Sequence, residues 1–217
     1  MSDTENLVNW ENVYQKSDDF KNQQPFKFGF VPNFFNQSFY DELYLNYPEI
    51  DDSWGVNSDL SKFQYYKILF SKNKDTKKPN WNENELSKSW ALLYKLFQSE
   101  EFISNLRKFT GLPVLGLNNF ALIAYKKGGF QLPHIHEDPA KPLICFFYFS
   151  KDWPKGEAGG TFMATEEDES SIVFEPYDLD NSMALFQDGP LSAHGCRLIT
   201  IDKQRSALQV TFDVASE

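Results

Sequence analysis

Hydrophobic and polar positions change their rhythm near residue 110. Before it, apolar residues recur at helical spacing over residues 86–97 and 102–109, and Ser99 stands where an N-cap belongs. Gly111 with Pro113 supplies the stop. Nearer the N-terminus, residues 26–31 alternate enough to predict a strand, broken by Pro32 and Asn33. Ser38 with Asp41 resembles a capping arrangement for a helix that carries Phe39, Leu43 and Tyr47 inward and ends at Pro48. Residues 1–25 are polar and read as loosely held, with Trp10 and Tyr14 docking a short helix. Residues 51–84 read as a long irregular connection interrupted by a strand over 63–70, the expected place for substrate-specific loops.

After Gly111 the apolar residues come in short segments, 119–125, 143–149, 161–164, 171–174, 183–186 and 208–214, separated by turn residues. That spacing predicts strands of a sandwich or barrel. The segment 143–149 is apolar without interruption, whereas the last is two-faced. Leu208, Val210, Phe212 and Val214 form one face, and Arg205, Ala207, Gln209, Thr211 and Asp213 the other. Helices first and strands second describe an α+β chain whose N-terminal helices buttress a jelly-roll barrel. A single domain over residues 1–217 is expected, with 1–110 as helical and loop support and 111–217 as the jelly-roll core.

Composition narrows the class. An aromatic content of 17% gives a 217-residue chain ample material for one core. A net charge of -10 argues against broad binding to nucleic acid or to an anionic membrane. Residues 1–9 do not combine a basic start with an apolar segment, and no apolar stretch is long enough to span a bilayer, so a cytoplasmic protein is expected. Cys145 and Cys196 read as free thiols, and the acidic run 166–169 as a solvated loop. An aromatic-rich N-terminal half suggests a surface for a homodimer.

The candidate chemistry gathers in residues 128–138, Gly-Gly-Phe-Gln-Leu-Pro-His-Ile-His-Glu-Asp, which hold two of the three histidines in the chain. If this stretch runs as a strand, His134, His136 and Asp138 project from one face. Imidazole and carboxylate here, with His194 from elsewhere, make a ligand set of the non-haem Fe(II) type. Arg205, on the polar face of the last strand, needs an anionic partner if that face lines the barrel interior.

Taken in order, Tyr125, Gly128-Gly129, the His-x-Asp segment, the apolar strand, Asp152-Trp153, Gly159-Gly160-Thr161-Phe162, Leu185-Phe186, His194 and Arg205 resemble the Fe(II)- and 2-oxoglutarate-dependent dioxygenases, most closely the prolyl-4-hydroxylase-like branch. The resemblance covers roughly residues 117–214. It implies a double-stranded β-helix and Fe(II), 2-oxoglutarate and dioxygen as cofactor and co-substrates. It further implies hydroxylation of an unactivated C–H bond, with succinate and CO2 as coproducts. The substrate would be a protein prolyl residue or a small metabolite. Arg205, 11 positions after His194, stands where the family pairs a basic residue with the far carboxylate of 2-oxoglutarate, and Tyr125 resembles a family tyrosine near that co-substrate.

Two overlapping pairs compete for the metal. Spacing from Gly128-Gly129 and Pro133 places His134 first and puts His136 where the family has its carboxylate; the chemistry of the donor set prefers His136 with Asp138. The preferred set is His136, Asp138 and His194, with His134 as the alternative first ligand. Two other classes stay open. A cupin-type metal dioxygenase uses His-x-His and a later histidine without 2-oxoglutarate, although the expected glutamate is replaced by Ala140 and Lys141. A non-catalytic jelly-roll binding protein would need no metal.

Overall fold

The computed structural model describes residues 7–72, 79–81, 85–136 and 139–215. Among the described residues five helices lie before residue 111, interleaved with three strands of the sheet: α1 (Trp10–Tyr14), α2 (Ser17–Asn22), α3 (Gln37–Leu45), α4 (Lys88–Gln98) and α5 (Glu100–Thr110). The capping signals of the last helix hold. Ser99 accepts from the Phe102 amide, and Gly111 takes the left-handed conformation at φ 72° that closes the C-terminus. The cap of α3 is corrected. Asn36, not Ser38, occupies the N-cap, and the helix ends at Leu45, before Tyr47. The N-terminal segment is held more firmly than its polarity predicts, because Val8, Val13 and Phe20 are buried.

The strands are β1 (Phe28–Val31), β2 (Gly55–Ser58), β3 (Lys62–Ser71), β4 (Val114–Tyr125), β5 (Phe130–His134), β6 (Leu143–Phe149), β7 (Phe162–Ala164), β8 (Ile172–Phe174), β9 (Asp180–Gln187), β10 (Ala193–Cys196) and β11 (Arg205–Val214). They form one 11-stranded antiparallel sheet in the order β1-β9-β6-β11-β4-β3-β5-β10-β7-β8, with β2 hairpinned onto β3. Side-chain contacts between strands far apart in this order reveal its curl. Arg205 on β11 reaches Thr161 beside β7, and Phe186 on β9 meets His194 on β10 at a ring separation of 4.6 Å. The two ends of the order meet through aromatic rings, Phe28 of β1 stacking on Phe174 of β8 at 5.9 Å. This is the double-stranded β-helix with helical buttress that the sequence predicted.

The unbroken apolar run of β6 has a physical reason, since both of its faces are covered. Leu143, Cys145, Phe147 and Phe149 pack against the helices together with Trp90, Phe97 and Phe102, whereas Ile144, Phe146 and Tyr148 face the barrel interior with Phe28, Met163 and Phe186. β11 is sorted in the same way, with Leu208, Val210, Phe212 and Val214 toward the helices and Ala207 inside. Many aromatic residues of the N-terminal half, Phe34, Phe39, Tyr40, Trp90 and Phe97 among them, are buried within the chain.

Candidate metal centre

β5 ends at His134, so the alternating strand expected over residues 134–138 stops at its first histidine and His136 lies beyond it. Asp138 lies outside the described residues. His134 and His194 are direct cross-strand partners, and the ladder between β10 and β5 then shifts register so that Cys196 pairs with Gln131. A shift of this kind moves side chains between faces. Gln131 thereby reaches His134, its Nε2 lying 3.1 Å from the His134 Nε2. Gly195 lets the strands approach. A Cβ there would sit 2.6 Å from the Gln131 carbonyl oxygen and 2.6 Å from the Phe162 ring.

The three histidines converge. Ring centroids are 4.3 Å apart for His134 and His194, 4.8 Å for His136 and His194, and 5.0 Å for His134 and His136. One ring nitrogen from each lies within 4.8 Å of the others, which is how ligands gather around a metal ion. Each Nδ1 is engaged on the far side: that of His134 lies 3.2 Å from the Leu132 carbonyl, that of His194 3.2 Å from the Ser192 carbonyl, and that of His136 3.2 Å from the Asp188 carboxylate. Since carbonyl and carboxylate oxygens only accept, these contacts favour the tautomer with Nε2 unprotonated, and in His134 that nitrogen accepts from the Gln131 amide at 3.1 Å.

Burial disfavours the charged form of two of the rings, His134 and His194. It lowers the His134 pKa, and it drives that of His194, 3% exposed, well below the usual value, with His134, His136 and Lys62 adding repulsion. In the unfolded chain both rings take up protons near pH 6.5, while the folded, metal-free protein resists until lower pH, so their contribution is complete above about pH 6.5 and is lost as pH falls below it. Urea midpoints of the metal-free protein are expected to drop between about pH 7.5 and about pH 5, and to drop less steeply in His194→Gln.

Arg205 opens β11 with its guanidinium entirely inside the barrel, 0% exposed. Its Nε donates to the Gly159 carbonyl at 2.9 Å and one Nη to Thr161 Oγ1 at 2.8 Å, while Nη1 is buried without a hydrogen-bond partner among the described residues. Tyr148 and Tyr125 flank it, their ring centroids 4.9 and 5.1 Å from the guanidinium carbon. No carboxylate forms an ion pair with it among the described residues. A buried cation with an open donor is costly unless an anion completes it. Gly159 leaves room for the Trp153 ring, which a Cβ there would meet at 2.6 Å and push aside.

The Tyr125 hydroxyl is engaged on both sides, accepting from Gln64 Nε2 at 2.5 Å and donating to Gln131 Oε1 at 3.0 Å. Burial raises its pKa. Gln64, Tyr125, Gln131 and His134 therefore form one polar relay across β3, β4 and β5. Sequence reasoning missed Gln64 and Asp188. Gln64 sat inside a strand prediction with nothing to mark its side chain, and Asp188 lies 52 positions from the histidine it contacts.

No family profile and no curated protein sequence matches the chain. Solved structures do. A Pseudomonas putida prolyl-4-hydroxylase superposes with a TM-score of 0.65 at 10% identity over 93% of this chain and 98% of that one. A Trichoplax adhaerens prolyl hydroxylase, solved with a peptide fragment of the hypoxia inducible factor oxygen degradation domain, gives 0.61 at 13% identity over 94% and 88%. HygX from Streptomyces hygroscopicus, with nickel, 2-oxoglutarate and hygromycin B bound, gives 0.53 at 11% identity over 94% and 86%. At these identities the likeness is one of fold.

Proposed function

We propose that this protein is an Fe(II)- and 2-oxoglutarate-dependent dioxygenase that hydroxylates an unactivated C–H bond. The observation that carries the reading is the pairing, inside one barrel, of three converging imidazoles with a fully buried arginine that has an open donor nitrogen. The imidazoles fit a divalent transition metal, and Arg205 fits the far carboxylate of a dicarboxylate anchored beside that metal. Bound iron with 2-oxoglutarate and dioxygen supplies the oxidising power; the chain binds, orients and excludes water.

His134, His136 and His194 would hold the metal. The direct pairing of His134 with His194 supports His134 as the first ligand, with His136 then standing for the carboxylate, the arrangement that spacing favoured. Arg205 would bind the co-substrate, held square by Gly159 and Thr161 and stacked between Tyr125 and Tyr148. Tyr125 would act through its ring and through Gln131, since its hydroxyl is already engaged. One neighbouring structure holds a peptide fragment and another hygromycin B, which supports a prolyl residue of a protein or a small metabolite as substrate. His-x-His with a later histidine also suits the cupin reading, and the open donor on Arg205 is what separates the two.

Anaerobic titration with Fe(II) and then 2-oxoglutarate tests this reading through the weak visible charge-transfer band of the chelate. The wild type is expected to develop the band. His134→Ala is expected to lose iron while Asp138→Ala keeps it; the reverse result would restore His136, Asp138 and His194 as the ligand set. Iron bound without the band would favour the cupin reading, and no iron at all a non-catalytic barrel.

A further inference from the structure

Asp188 follows β9 directly and turns its carboxylate into the barrel, the side chain only 1% exposed. Its Oδ1 accepts from the Gly189 amide at 3.0 Å and from Ser192 Oγ at 3.1 Å, and its Oδ2 faces His136 Nδ1 at 3.2 Å. Among the described residues no lysine or arginine forms an ion pair with it. A buried carboxylate in this position is costly unless its charge is used by the groups around it. Two neutral donors satisfy one oxygen, and the imidazole of His136 takes the other. The same short turn ends at Ser192, whose carbonyl lies 3.2 Å from His194 Nδ1, so one segment of chain orients two of the three rings.

We propose that Asp188 is a positioning residue that carries the negative charge of the metal centre at one remove, holding His136 by its Nδ1 hydrogen so that Nε2 becomes a fixed and more basic ligand. This rests on the metal-binding reading above. A carboxylate hydrogen-bonded to the far nitrogen of a ligating imidazole fixes the ring and raises its donor strength. Three neutral imidazoles leave the full charge of a divalent ion unbalanced, and Asp188 returns part of that balance through His136.

The probe is Co(II), titrated into the full chain under anaerobic conditions and followed by its visible ligand-field bands. Wild type is expected to bind. Asp188→Asn is expected to bind about 10- to 100-fold more weakly with altered bands. In a His136→Ala background, adding Asp188→Asn is expected to cost no further affinity, because the carboxylate acts through that ring. Binding by Asp188→Asn equal to wild type, or losses that multiply in the double variant, would overturn the proposal while leaving the metal site standing. Absence of Co(II) binding by the wild type would overturn both. A measurement that needs no Asp188 variant guards against misfolding. In the Zn(II)-loaded wild type with 15N-labelled histidine, His136 is expected to show a protonated Nδ1, and a protonated Nε2 would refute the assignment.

Discussion

Replacing Arg205 with methionine is expected to lower the affinity of the metal-loaded protein for 2-oxoglutarate about 100-fold, or about 2.8 kcal/mol. The guanidinium sits at 0% exposure with Nη1 unpartnered, so a carboxylate reaching it forms charge-assisted hydrogen bonds in a setting that water does not screen. The change removes an unpaired buried charge and at the same time leaves the Gly159 carbonyl and the Thr161 hydroxyl without their donor, so the urea midpoint of the variant is to be measured alongside its affinity. Arg205→Lys should restore only part of the affinity. A single ammonium cannot hold the Gly159 carbonyl, Thr161 Oγ1 and a carboxylate together as the planar fork does. Calorimetric titration with 2-oxoglutarate on the Ni(II)-loaded protein measures both. An unchanged affinity in the methionine variant would place the dicarboxylate elsewhere.

Phe147→Ala is expected to destabilise the protein by about 3 to 5 kcal/mol, a large fraction of the roughly 5 to 15 kcal/mol that holds a domain folded. Phe147 projects from the outward face of β6 into the seam between barrel and helices, with ring centroids 5.0 Å from Phe34, 5.7 Å from Phe35 and 5.0 Å from Phe97. It is 1% exposed and is met both by the segment before α3, through Phe34 and Phe35, and by α4, through Phe97, so truncation leaves a cavity that no single segment can close. Val173→Ala on β8, where the side chain is 45% exposed, should change stability by less than about 0.5 kcal/mol. Urea unfolding of the two variants against wild type tests the contrast, and similar midpoints would mean that the seam contributes less than its packing implies.

The hairpin strand β2 and the strand β10 were not legible beforehand. Gly55-Val56-Asn57-Ser58 is short and mostly polar, and it is a strand because β3 lies beside it to take its hydrogen bonds. Ala193–Cys196 holds a histidine and a glycine, neither of which favours a strand, and is paired on both sides by β5 and β7. The candidate metal donors were legible as residue types and as an inventory of three histidines, but not as a set. Alternation alone grouped positions 134, 136 and 138, whereas β5 ends at the first of them.

What the sequence by itself determined is whatever depends on local periodicity and on scarce residues. That includes the cap at Ser99, the stop at Gly111, the buried double-faced strand β6, the two-faced β11 with Arg205 inside, and His134, His136, His194 and Arg205 as the chemistry to follow. Only the tertiary structure decided the register shift that turns Gln131 toward His134, the open nitrogen on Arg205 and the carboxylate of Asp188 behind His136. The physical reason is distance along the chain. Periodicity reports which face a residue takes within its own strand, while the partner it meets across the barrel is set by how far the whole sheet curls before its two ends meet at Phe28 and Phe174.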